Sequence, residues 1–424
     1  MPILHGTLLR PRSAEQCELV SGVWVRVADD GRVAEVSTEA IRGAEVIGDE
    51  GCWILPGFVD AHLHLPQWDH RGIDGLSLFD WHDRVVYPAE ARCADGELAE
   101  EVAEAFVSAL VACGTTTFAA FGSPFTEATD RAFQVFARRG CRAIFGKMLN
   151  DEHVPKELCE PSDQALDDSR NLAVRWHGAE QGRLSYAFSP RMPLCCSPKL
   201  MRGAAALAKM MGCYIQTHVA ESQAEVRAVR QHFPEHLDDV DVFAEMGLLT
   251  PKTLLGHGVL LDQHQRKQVA ATQTALVHCP TANVFLESGL MDYVAHRSAG
   301  IRMALGSSVA GGYELFMPQV AVQGLHTAKT IKVHALPRGS HAVPKPAEAW
   351  WVLTRGGAEA LGLEDRVGAV EVGMEADCLV VRPEKWIAEL SPEQRISALL
   401  YTLRPHQIEH VYIAGRRVGP GAVP

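Results

Sequence analysis

Two histidines one residue apart, His62 and His64, close the segment Pro56-Gly57-Phe58-Val59-Asp60-Ala61-His62-Leu63-His64. In an extended strand, residues i and i+2 share a face, so the two imidazoles stand side by side. Imidazole nitrogen is a preferred ligand of zinc and its neighbours among the divalent metals. A lone His-x-His is only moderately specific, and two unrelated surface histidines are the plain alternative. Here the pair follows an apolar run and a Pro-Gly step, with Asp60 near enough to orient a ligand, which favours a metal site. Further histidines end short apolar runs: His218 closes 213–218, His257 closes 253–257, and His278 lies in Val277-His278-Cys279-Pro280. One such histidine is more often a packed core residue, but several recurring in this way are harder to dismiss. Glu221 follows His218 by three residues. A carboxylate near a helix start is electrostatically comfortable there, which is its bland reading. Beside clustered imidazoles it reads instead as a general acid/base that moves a proton to a leaving nitrogen.

These residues need a scaffold that brings distant stretches together. Leu98, Val102, Ala105, Phe106, Ala109, Leu110 and Cys113 recur at helical spacing, Gly114 stops that helix, and Thr115 to Phe121 reads as a strand. The beat repeats, with helices over 200–211, 220–232, 264–271 and 290–298 and strands over 213–218, 253–259, 275–279 and 301–306. Alternation of this kind argues for parallel βα units, and the stretch is long enough for an eight-unit barrel. A doubly wound open sheet is the competing fold, but no Gly-x-Gly-x-x-Gly follows a first strand. In a barrel the C-terminal strand ends share one mouth, where His62, His64, His218, His257 and His278 would converge. The two ends of the chain are different. Val23, Val25 and Val27 alternate with Trp24 and Arg26, Asp30-Gly31 makes a hairpin turn, and 378–381 and 410–415 are short apolar runs. These β-rich ends could pair with each other. The Pro-rich segment 335–347 is a loop placed where it could cover the barrel mouth.

Length and composition agree with an enzyme. The 424 residues are 47% hydrophobic and 22% charged, the balance of a folded globular chain. Lys+Arg 40 against Asp+Glu 52 gives −12, with no basic stripe, so nucleic acid is not an expected partner and an anionic membrane is disfavoured. No apolar run is long enough to span a bilayer, and the opening residues lack a secretory pattern. The 11 cysteines are odd in number and form no Cys-x-x-Cys pair, so reduced thiols and a cytoplasmic setting are expected.

Proceeding along the chain, PGFVDAHLH, Pro66-Gln67, Tyr87-Pro88-Ala89-Glu90, Ser189-Pro190-Arg191, Gln216 to Glu221, Gly256-His257-Gly258, His278 to Asn283, Val309 to Tyr313, Leu361-Gly362-Leu363 and Val411 to Gly415 occur in order. Together they resemble the guanine deaminases of the amidohydrolase superfamily over nearly the whole chain. The resemblance implies an α/β fold, a (β/α)8 TIM barrel over 54–367, with a small composite β-sandwich from 1–53 and 368–424. It implies one divalent metal ion, zinc, held by His62, His64 and His218, with Glu221 as proton shuttle and His257 bonded to the attacking oxygen. Gln67 and Arg191 would read the polar edge of a small-molecule N-heterocycle, since Arg suits a planar acceptor pair and Gln offers donor and acceptor. It also implies a homodimer.

Two positions depart from that pattern. Met192 stands where the family has an aromatic against the purine, and Met is apolar but adaptable. Ser308, in Gly306-Ser307-Ser308-Val309-Ala310-Gly311-Gly312, replaces the aspartate that would ligate zinc and take a proton from water. Glu314 is the nearest following carboxylate. A serine hydroxyl is a poor base at neutral pH, and a general base contributes about 10²–10⁴-fold. Three neutral histidines nevertheless form a hydrolytic ligand set, and Glu221 or His257 could take the proton. Three functions therefore compete: a guanine-deaminase-like hydrolase with histidine-only ligation; a relative redirected to another reaction on a purine-like or other N-heterocyclic ring; and a non-catalytic binder. Retention of Gln67, Arg191, Glu221 and the histidines weighs against the last.

Overall fold

The computed structural model describes residues 2–43, 45–335 and 341–419. Eight parallel strands run in chain order round one sheet: Phe58–His64, Thr115–Phe121, Arg142–Gly146, Leu184–Pro190, Tyr214–Val219, Thr253–His257, Ala275–His278 and Arg302–Leu305. Backbone bonds just past the last strand draw it onto the first: Ser308 N–H donates to the His62 carbonyl and His64 N–H to the Val309 carbonyl, each at 2.7 Å. Val59, Ala119, Ile144, Ala187, Tyr214, Leu254, Ala275 and Ala304, one from each strand, meet in a single apolar cluster. Their side chains fill the interior, so the barrel is a packed core and not a pore.

The helices between these strands arise where the sequence pattern places them, and their caps set the boundaries. Gly96–Ala112 starts where Asp95 accepts from Glu97 N–H and Leu98 N–H, and it buries Val102, Phe106 and Leu110. Gly114 and Gly212 end helices in the left-handed region, at φ 77° and 68°. The helix expected over 220–232 begins only at Gln223. A capping box explains this: Ser222 Oγ accepts from Glu225 N–H, and Glu225 Oε2 accepts from Ser222 N–H. Glu221 is thereby left in the strand-to-helix turn. Similarly, the helix expected from 290 starts at Tyr293, because Asp292 caps Ala295 N–H.

Both chain ends enter one eight-stranded sheet. The C-terminal strand Cys378–Val381 lies antiparallel to Trp53–Pro56, which in turn is parallel to Ile3–Pro11. Leu4, Leu8, Val23, Val25, Ile54, Cys378 and Val380 form an apolar cluster separate from that of the barrel. The expected sandwich thus takes the form of one sheet with its own core. Arg142, at the start of the third barrel strand, clamps the two parts: it donates to Asp377 at 2.9 and 3.0 Å and to Glu375 at 2.6 Å. Buried carboxylates on two sides hold its guanidinium charged. Within the Pro-rich segment 335–347, positions 336–340 lie outside the described residues, and Pro344 lines a small cavity beside His278. Among the described residues no helix is long and apolar enough to cross a membrane.

Candidate functional site

Four imidazoles meet at the C-terminal ends of the first, fifth and sixth barrel strands. His62 lies with ring centroids 4.9 Å from His218, 5.0 Å from His257 and 5.2 Å from His64. Two glycines make room for it: a Cβ on Gly256 would sit 2.3 Å from His62 Cε1, and one on Gly306 would sit 2.7 Å from His62 Cβ. Phe121 stacks against His64 and His218. All four rings are buried. Burial, reinforced by the neighbouring imidazoles, pushes His62, His64 and His218 well below the ordinary histidine range. They are neutral at pH 7, the form that binds a metal.

The hydrogen-bond pattern fits a cation. His218 Nδ1 faces the Arg191 carbonyl at 2.7 Å and His257 Nδ1 faces Asn283 Oδ1 at 2.8 Å, acceptors that fix the proton on Nδ1 and leave Nε2 a lone pair. His218 Nε2 then points at His64 Nε2, 3.1 Å away. Buried His62 Nε2 and His64 Nδ1 have no partner. One ring nitrogen each from His62, His218 and His257 lies within 4.8 Å of the other two. Ligands at about 2.0–2.1 Å from a tetrahedral ion stand about 3.3–3.4 Å apart, close to the His64–His218 spacing. His257 thus stands in this group where His64 was expected, and His64 joins the cluster through its Nε2 against His218 Nε2.

Glu221 is buried beside this cluster. Its Oε2 lies 3.5 Å from His257 Nε2, and its Oε1 accepts from Ser288 Oγ at 3.3 Å. Desolvation raises its carboxyl above the ordinary range, although His257 opposes the shift. Its backbone N–H is held by Glu225 Oε2 at 2.7 Å, and the preceding Ala220 N–H by Asp239 Oδ2 at 3.0 Å. Ala220, His257 and Ser308 all take left-handed φ values, 44°, 70° and 50°, so strained backbone collects at this mouth.

Gln67 and Arg191 complete one wall of the cavity, which is also lined by His64, His82, Trp81, Leu78, Leu286, Ser308 and Gly311. Arg191 is fully buried and doubly anchored. Its Nε donates to Asn150 Oδ1 at 2.9 Å, and its Nη2 pairs with the equally buried Glu90. Gln67 lies beside Glu90 as well and favours its charged form. Ser308 lines the cavity at 4% exposure. Met192 does not line it; it lies on the wall of an outer depression with Phe79, His82 and Tyr87. His278 stands apart, beside Tyr293 in a separate cavity, with both ring nitrogens unpartnered. Asp60 ties the His-x-His strand to the serine loop, its Oδ1 accepting from Ser307 N–H at 3.0 Å and His62 N–H at 3.3 Å. Glu314 instead bonds Phe316 N–H and does not line the cavity.

A cluster of neutral imidazoles with a buried carboxyl, at the C-terminal mouth of a barrel, is what metal-assisted hydrolysis requires. Comparison with known proteins places it. Residues 53–418 match the Amidohydrolase family. The chain belongs to the amidohydrolase family. It is 32% identical to a probable guanine deaminase of Deinococcus radiodurans, with 98% of each chain covered. The fold superposes on E. coli guanine deaminase with a TM-score of 0.92 at 26% identity, covering 99% of this chain and 100% of the other. It is also similar in fold to guanine deaminase of C. acetobutylicum with guanine bound in the active site, TM-score 0.93 at 24% identity, covering 98% and 99%.

Several amidohydrolase-site residues carried no role in the sequence reading. Glu90 and Asn283 fall inside motifs that were visible, but their bonds to Arg191 and His257 follow from no spacing. Asn150, Ser288, Trp81 and His82 gave no signal at all, because nothing local marks a residue as the neighbour of another over 40 positions away.

Proposed function

We propose that this chain is a metal-dependent hydrolytic deaminase of guanine or a closely related aminated N-heterocycle, with ligation by histidine alone. The observation that carries this reading is the convergence of neutral imidazoles on one point, beside a carboxyl raised by burial. The amidohydrolase membership and the guanine deaminase relatives support the same assignment.

His62, His64 and His218 are the residues that would hold the ion, and His257 is close enough to share it. When bound, a divalent ion of the zinc type supplies Lewis acidity that makes water a nucleophile near neutral pH. The chain's own groups do the rest. Arg191, fixed by Glu90 and Asn150, has Nη1 left over from those two bonds, and Gln67 offers donor and acceptor beside it, so together they orient the polar edge of the ring. Leu78, Trp81 and Leu286 form apolar walls that exclude water from the ring faces. Glu221 is placed to deliver a proton from Oε2 to the ring nitrogen and, after taking a second from the attacking oxygen, to pass that one to the departing amine. His257 Nε2, facing Glu221, bonds the attacking oxygen. Ser308 is neutral and takes no proton, so His257 and Glu221 are the acceptors. Hydrolysis exchanges the exocyclic C–N bond for C–O and releases ammonia.

A single small-molecule substrate, a cytoplasmic setting with reduced thiols and a homodimer accompany this proposal. The test is ammonia release from guanine and other aminated purines by zinc-loaded protein. Ammonia from guanine supports the assignment. A metal-loaded protein that releases ammonia from another ring and not from guanine is the redirected enzyme, the reading favoured by the placement of Met192 away from the cavity and of Trp81 and His82 along it.

A further inference from the structure

A second group of ligand-type side chains lies outside the active-site cavity. Glu152, His153 and His232 each present one ligand atom, and the three atoms lie within 4.8 Å of one another. His232 Nε2 is 3.3 Å from Glu152 Oε2, and the rings of His153 and His232 meet edge to face with centroids 4.8 Å apart. Tetrahedral bonds of about 2.0–2.2 Å place ligand atoms about 3.3–3.6 Å apart. The histidine–carboxylate pair already has that spacing, and the third atom, within 4.8 Å of both, must close by about 1.5 Å at most.

The loop that carries two of these groups is pinned independently of any ion. Asp151 Oδ1 accepts from Ser197 N–H at 2.7 Å, and its Oδ2 accepts from the hydroxyls of Ser162 and Ser197, each at 2.6 Å. Glu152 N–H reaches the Cys195 carbonyl. His153 holds a left-handed φ of 49° and turns its Nδ1 to the Leu194 carbonyl at 2.9 Å. That acceptor fixes the proton on Nδ1 and leaves Nε2 a free lone pair, the arrangement found around histidine ligands. His232 ends the helix Gln223–His232 and packs against Phe233.

We infer that Glu152, His153 and His232 form a second divalent transition-metal site at the barrel mouth. The two-nitrogen, one-oxygen donor set selects zinc, cobalt, nickel or copper over calcium or magnesium, which favour all-oxygen shells. With three protein ligands the fourth position is open to water, so the ion exchanges. The site lies on the rim of the outer depression, whose wall shares His82 with the inner cavity. Its ion joins the loop after Met148–Leu149 to the helix that follows Glu221 across that rim.

The experiment is calorimetric titration with zinc of full-length protein already carrying one equivalent, with cobalt absorption as a second probe. The expected result is uptake of one further equivalent, with tetrahedral-type cobalt bands. His232→Ala and Glu152→Gln should each weaken that second step by at least about tenfold and leave the first equivalent in place. His264→Ala, at an exposed histidine outside the group, should change nothing. Thermal unfolding of the singly loaded variants should match the parent, so that lost binding is not lost structure. No second equivalent in the parent, or an unchanged second step in both variants, overturns the inference. Neither result depends on which ring the enzyme deaminates.

Discussion

Ser308→Asp puts a carboxylate where the histidine cluster has none. The backbone accepts the change: Ser308 has φ 50°, a region in which Asp is several-fold enriched among non-glycine residues. Its N–H is held by the His62 carbonyl at 2.7 Å and its carbonyl by Gly312 N–H at 2.7 Å, so the side chain must keep pointing from the same anchor. Space exists, because Ser308 borders the cavity together with Gly311. A full general base contributes about 10²–10⁴-fold, or about 3–5 kcal/mol at 1.36 kcal/mol per tenfold. Glu221 and His257 already offer proton acceptors 3.5 Å apart in the same cavity, which places the expected gain at the lower end, about 10²-fold in kcat. The assay is steady-state ammonia release from guanine with zinc in excess, kcat and KM determined separately, and metal content measured on the same samples. Ser308→Asn is the control, since it has the shape without the charge, and it should show no gain. The same aspartate should lower the thermal stability of metal-free protein, because it buries a charge with no cationic partner at a position only 4% exposed. If Ser308→Asp carries its metal and still deaminates no faster than the parent, the assignment of Ser308 to a lost base is wrong.

Glu221→Gln removes the proton shuttle without changing shape and should lower kcat by about 10²–10⁴-fold with KM nearly unchanged; a change confined to KM would make Glu221 a substrate-binding residue only. Glu90→Ala leaves the Arg191 guanidinium buried and unpaired, so denaturant unfolding should show a loss of about 3–5 kcal/mol, and substrate KM should rise; unchanged stability would mean that the pair is not load-sharing. Chelation should lower the unfolding temperature and zinc should restore it, by about 2.7 kcal/mol per site at a hundredfold excess over its Kd, while His62→Ala loses the share contributed by the barrel-mouth histidine cluster. Asp239 and Glu225 are both pushed up, chiefly by burial, so the folded chain binds protons that the unfolded chain has released. Stability must therefore fall as pH rises from the ordinary carboxylate range toward neutrality. Asp239→Asn, which keeps an acceptor for Ala220 N–H, should flatten that slope in unfolding scans; identical slopes would remove the pair from the account.

Much of the scaffold was legible because its signals are local. Apolar spacing, glycine stops and caps depend on neighbours a few residues apart, and Thr115–Phe121 and Cys378–Val381 appear with the limits their sequence predicts. His62, His64, His218, Glu221 and His257 were legible because their positions at strand ends are fixed by the same period. The helix start at Gln223 was missed, since apolar pattern alone ran through Ser222 and only the reciprocal bond with Glu225 ended it.

The side-chain types at the site were thus set by sequence: imidazoles of the kind that bind metals, a carboxyl, and a serine where the resemblance leads one to expect an aspartate. Their states were set by the fold. Burial raises the Glu221 carboxyl and, with the neighbouring imidazoles, lowers the histidines, and burial is a sum over residues from every strand of the barrel. Glu90 on Arg191, Asn283 on His257 and Met192 outside the cavity are likewise consequences of closure, which brings side chains 26 to 101 positions apart within hydrogen-bond reach. A linear pattern carries no record of such distances, because the contact energy that fixes them exists only after the barrel has closed.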